Sequence, residues 1–78
     1  MELTIKYFGM LTEATEIDKE SFTTEACSVS QLLKKLQSTY PKLQNVDFKV
    51  AVDQQLVTLD YIISNEAEVA LLPPFAGG

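Results

Sequence analysis

Histidine is absent from these 78 residues, and Cys27 is the only cysteine. Without histidine the usual metal sites, Ser-His-Asp triads and Cys-His dyads cannot be built. A single thiol excludes an internal disulfide. The three glycines are Gly9, Gly77 and Gly78, so no glycine-rich phosphate loop exists. No apolar run is long enough to span a bilayer. MELTIKYF, with an acid at position 2, lacks the apolar core of a signal peptide, so a cytoplasmic location is expected. Positive charge is scarce too: six basic residues stand against eleven acidic ones, a net charge of −5. Such a surface repels phosphate backbones and anionic lipids, which argues against nucleic acid or membrane as partners. It steers instead toward a basic protein surface. A self-contained enzyme is not expected.

What is present reads as one small folded domain, with 46% hydrophobic and 22% charged residues. In ELTIKYF, Leu3, Ile5 and Tyr7 alternate with Glu2, Thr4 and Lys6, the pattern of a half-buried strand. Phe8 breaks it by placing a ring on the polar face. Met10 to Thr15 fits a short helical turn, and Lys19 to Glu25 a second strand. Ser28 and Gln31 form a capping box. Val29, Leu32, Leu33, Leu36 and Tyr40 then share one helical face until Pro41 stops the helix. Val46, Phe48, Val50 and Val52 alternate as a third strand. Asp53-Gln54-Gln55 is expected to turn into a short fourth around Leu56 to Thr58, and Tyr61-Ile62-Ile63 to bridge. EVALL is the last strand, with Val69 and Leu71 inward and the alternation failing again at Leu72. The predicted order β-β-α-β-β-β gives an α+β domain, one sheet with the main helix across one face and the first and last strands side by side.

Few side chains in this body offer chemistry. Cys27 has no base or cation beside it and reads as a small loop residue. Glu13, Glu16, Asp18 and Glu20 are irregularly spaced and read as a solvated face, and Glu66 and Glu68 as a pair pointing to water. Phe8, Leu56 and Leu72 are apolar at outward positions. If they cluster, they make an apolar patch beside the end of the sequence.

That end, LLPPFAGG, carries the chemistry that remains. Pro73-Pro74 is stiff and cannot continue a ladder. Phe75 is an apolar knob, and Ala76-Gly77-Gly78 has almost no bulk. Six residues from Pro73 reach roughly 20 Å, at about 3.3–3.6 Å each. A tail this thin enters channels closed to side chains. The Gly78 carboxylate at its tip is ionised at neutral pH, with an ordinary pKa of about 3.3–3.7. It needs activation, for instance as an acyl-adenylate made with ATP on a second enzyme, from which sulfide displaces AMP to leave a thiocarboxylate.

The ending EVALLPPFAGG, with AVDQQLV upstream and the YF-G of the first strand, resembles the small subunits of molybdopterin synthase. These are ubiquitin-like, β-grasp sulfur carriers. The resemblance covers the whole chain and implies a β-grasp domain over 1–72 followed by a tail over 73–78. It implies that Gly78 is adenylated by an ATP-dependent activating enzyme, converted to a thiocarboxylate, and inserted with Pro73, Pro74, Phe75, Ala76 and Gly77 into the large subunit. There the sulfur passes to cyclic pyranopterin monophosphate. The small subunit binds no metal and no cofactor of its own, and the complex is a heterotetramer. The family's apolar contact positions fall on Phe8, Leu56 and Leu72.

Two positions depart from the family pattern. Thr12 precedes Glu13 where an arginine is common. Glu66 occupies a frequent glycine position, so Asn65 is expected to supply the left-handed residue. Two other readings use the same activated carboxylate: a carrier for thiamine or another pathway, and a ubiquitin-like modifier joined through Gly78 to lysine.

Overall fold

The computed structural model describes residues 1–74. Strand β1 (Glu2–Tyr7) leads into helix α1 (Met10–Thr15) and strand β2 (Lys19–Thr23). A short β3 (Cys27–Ser28) opens directly into the main helix α2 (Val29–Thr39), followed by a 3-10 turn over Pro41–Asn45. The strands β4 (Lys49–Val52), β5 (Gln55–Leu56), β6 (Ile62–Ile63) and β7 (Ala67–Leu72) complete the chain. Five of them form a mixed sheet in the order β2-β1-β7-β4-β5. The first and last strands lie side by side, as expected, with Ile5 opposite Val69 and Tyr7 opposite Leu71 in a parallel pair.

Alternation along each strand sends one set of side chains toward α2. Leu3, Ile5, Tyr7, Val50, Val52, Val69 and Leu71 are buried, and Val29, Leu32, Leu33 and Leu36 of α2 close over them. The capping box forms as expected, with Gln31 N donating to Ser28 Oγ at 3.1 Å and Ser28 N to Gln31 Oε1 at 2.9 Å. The amides of Val29 and Ser30 donate to the carbonyls of Tyr61 and Leu59, both at 2.9 Å. All the donors that a helix start leaves free are therefore satisfied within the domain.

Three expectations need correction. The strand predicted from Val46 begins only at Lys49. Lys49 pairs with Leu72, so residue 48 would have to pair with Pro73, which has no amide proton to give. Val46 and Phe48 are consequently half-buried outside the ladder. Tyr61-Ile62-Ile63 is more than a turn: Ile62 and Ile63 pair with Ser28 and Cys27 in a separate two-stranded sheet. Two residues are too few for alternation to register. Cys27 accordingly sits in that strand, buried within the core cluster and not in a loop.

The backbone also relocates the strained positions. Positive φ occurs at Gly9, Glu16, Asp53 and Gln54, and not at Asn65. Asp53 and Gln54 are the two central residues of the β4–β5 connection, where a two-residue hairpin turn of type I′ requires positive φ at both. Asp53 is anchored there by its amide on the Glu68 carbonyl (2.8 Å) and by Oδ1, which accepts from the Glu68 amide (3.0 Å).

Candidate functional site

The register places Phe8, Leu56 and Leu72 on the sheet face opposite α2. Ala51 lies between Leu56 on one side and Ala70 on the other, Leu72 lies beside Lys49, and Phe8 follows Lys6 on the same face. The two alanines lack bulk, so the larger residues around them enclose a depression of about 360 Å³. Phe8 and Leu56 are 43% and 58% exposed, and Leu72 is half-buried. Phe8, Leu56 and Leu72, apolar at outward positions of the sequence, thus line one hollow, with Gln54 and Glu68 at its margin. Its floor, Ala51 and Ala70, carries no sequence signal, because alanine fits either face of a strand.

Leu56 stands at this hollow because the Asp53-Gln54 turn folds β5 back onto β4. Phe8 is fixed by its amide, which donates to the Leu71 carbonyl at 3.2 Å, and by its carbonyl, which accepts from Leu11 N at 3.1 Å. Thr12, the departure from the family pattern, holds the same corner: its hydroxyl donates to the Tyr7 carbonyl at 3.0 Å.

Gly9 is the residue that sequence reading overlooked. Its φ of 59° and ψ of −135° suit a residue without a Cβ. A Cβ there would also lie 2.8 Å from Cγ of Pro73, closer than such atoms approach. Pro73 therefore seats against bare backbone, immediately after Leu72 leaves the sheet. The only signal was the glycine after Tyr7-Phe8. We expect Gly9→Ala to cost about 1–3 kcal/mol through backbone strain alone. That is a fall of roughly 4–24 °C in melting temperature, at about 4–8 °C per kcal/mol for a domain of this size. A melting temperature within a degree of the parent would show that position 9 carries a Cβ without strain.

Pro74 is exposed, and the tail residues Phe75, Ala76, Gly77 and Gly78 lie outside the described residues.

The acidic residues divide. Glu20 is not a solvated member of the group: it accepts hydrogen bonds from the hydroxyls of Tyr7 (2.6 Å) and Tyr40 (2.9 Å). The two rings meet edge to face with centroids 5.9 Å apart. Burial and then the Glu20 hydrogen bond and charge push both phenols above their ordinary pKa, so both stay protonated as donors. This ties β1 and β2 to the end of α2. Glu68 also differs from the reading, since its carboxylate pairs with Lys6 at 3.0 Å. Among the described residues no three His, Cys, Asp or Glu side chains group to hold a metal. No helix among them is long and apolar enough to cross a membrane.

Comparison with known proteins places this arrangement. Residues 5–78 match the model of the ThiS family. The chain is 32% identical over 82 residues to the molybdopterin synthase sulfur carrier subunit of Mycobacterium tuberculosis, covering 100% of this chain and 99% of that one. Among solved structures, a putative molybdopterin converting factor subunit 1 from Pyrococcus furiosus superposes with a TM-score of 0.85 at 20% identity, covering 95% of this chain and 98% of that one. Small archaeal modifier protein 1 of Haloferax volcanii gives 0.82 at 20% identity, covering 94% and 97%. Subunit 1 in the complex of subunits 1 and 2 of the molybdopterin-converting factor from Helicobacter pylori gives 0.68 at 18% identity, with both chains fully covered. The structural likenesses establish the ubiquitin-like β-grasp fold. The chain belongs to the ThiS family, as a homologue of the sulfur carrier subunits of molybdopterin synthase.

Proposed function

We propose that this protein is the sulfur-carrier small subunit of a molybdopterin synthase, and that Gly78 is its reactive residue. Its carboxylate oxygen attacks the α-phosphorus of ATP on an activating enzyme, releasing pyrophosphate and forming an acyl-adenylate. Sulfide then displaces AMP, leaving a thiocarboxylate. ATP serves that enzyme and not this chain, which carries no cofactor of its own, and the step belongs to the cytoplasm, where ATP is available. The tail from Pro73 to Gly77 delivers the sulfur into the large subunit, where it passes to cyclic pyranopterin monophosphate and hydrolysis restores the carboxylate. Phe8, Leu56 and Leu72 seat the domain on the large subunit, in a heterotetramer whose acid-base groups belong to the large subunit.

The full-length likeness to a sulfur carrier subunit supports this reading most. The seat of Pro73 on Gly9, beside the apolar hollow, supports it further: an occupant of the hollow lies next to where the tail departs. The test is incubation with the activating enzyme, ATP and a sulfide source. Intact-mass spectrometry is expected to show one oxygen replaced by sulfur, and an unchanged mass would sink the proposal.

A second reading, conjugation through Gly78 to lysine of another protein, is favoured by the likeness to the Haloferax modifier. Reconstitution with the large subunit and the pyranopterin separates the two. A carrier returns to the carboxylate form as product appears, whereas a modifier accumulates as an amide.

A further inference from the structure

A second apolar recess lies on the other side of β5. A helix about 10–12 Å across does not roof a five-stranded sheet roughly 19 Å wide. Beyond α2, at the β5 edge, Leu33, Phe48, Val50, Val57 and Leu59 line a groove of about 520 Å³. The amide of Val57 donates to the Val50 carbonyl at 3.0 Å, and the Leu59 carbonyl accepts from Ser30 of α2, so both walls are held by backbone hydrogen bonds. Leu59 is nevertheless 58% exposed. Leu56 walls both this groove and the hollow with Phe8 and Leu72, so the two recesses are one surface folded around the sheet edge.

We propose that the large subunit which takes the Phe8–Leu56–Leu72 face also wraps the β5 edge and inserts an apolar side chain into this groove. This inference rests on the synthase reading. One observation chooses the occupant. The groove is continuous, through Leu56, with the face assigned to that subunit. Among the described residues Lys49 is the only charged residue that lines the groove, and its side chain, opposite Leu72 in the ladder, projects to the Leu72 face. The segment that wraps the edge is therefore apolar where it enters the groove and carries its carboxylate on the Leu72 side, to meet Lys49.

The test is calorimetric titration of the cognate large subunit with the full chain and three variants. Leu59→Asp and the milder Leu59→Ala alter the groove alone, and Leu72→Asp alters the hollow. Leu59→Asp is expected to weaken binding at least tenfold and Leu59→Ala several-fold, with melting temperatures near that of the parent because the side chain is exposed. If Leu72→Asp weakens binding but both Leu59 variants stay within twofold, the wrapping is overturned and the synthase reading survives. Failure of the unmodified chain to bind at all overturns both. If Leu59→Asp proves unfolded, Leu59→Ala decides by the same twofold criterion.

Discussion

Deleting Gly78 is expected to abolish sulfur transfer while leaving the melting temperature unchanged. The deletion shortens the tail by about 3.3–3.6 Å. A misplacement of even about 1 Å in a reacting group costs on the order of a hundredfold. Product formation with the large subunit should therefore fall by more than about a hundredfold, provided that Gly78 is the residue that carries sulfur. The buried side chains that hold the fold, from Leu3 to Leu71, are untouched, so a thermal scan should superimpose on the parent. Activity retained in the shortened chain would remove Gly78 from the mechanism. A lowered melting temperature would show instead that the tail packs against the body.

Leu72→Asp is the second large effect, this time on association. A central apolar anchor at an interface contributes about 2–4 kcal/mol when lost, which is roughly 30- to 1,000-fold in Kd at 1.4 kcal/mol per decade. The cost to the free domain should be much smaller. Leu72 is half-buried on the face away from α2, and Lys49 stands directly across the ladder to meet the new carboxylate. Binding should thus collapse while the melting temperature moves little. Equal losses in both measurements would return Leu72 to the structural core and leave the hollow without a partner.

Much of this was legible in the sequence, for reasons that differ by element. The α2 boundaries were written in Ser28, Gln31 and Pro41, residues whose local chemistry decides where a helix starts and stops. The hollow was legible because Phe8 and Leu72 violate a period-2 rule that the rest of β1 and β7 obey, and a violation stands out. Features that depend on remote partners were not legible. The late start of β4 follows from Pro73, far along the chain, and no window around Val46 contains that fact. Glu20 looked like one more surface acid because its partners, Tyr7 and Tyr40, lie 13 and 20 residues away. Gly9 had one neighbour that mattered, Pro73, and only the fold reveals it. The tail chemistry was the reverse case, since it was read entirely from composition and from family resemblance, and lies beyond the described residues.

The parallel pairing of β1 with β7 has a consequence for synthesis. The partner of β1 is the last strand among the described residues, so the central contact of the sheet joins Leu3–Tyr7 to Ala67–Leu71, more than sixty residues later. Contacts of such long range are slow to form, because the loop between them must close first. A nascent chain halted before β7 leaves both β1 and β4 without their shared neighbour. It leaves Leu3, Ile5, Val50 and Val52, all buried in the complete fold, without the strand that packs between them. The body therefore completes itself only when the ribosome has reached the segment that bears the tail. A copy that stops before the end of β7 lacks the neighbour that β1 and β4 share and cannot complete the sheet.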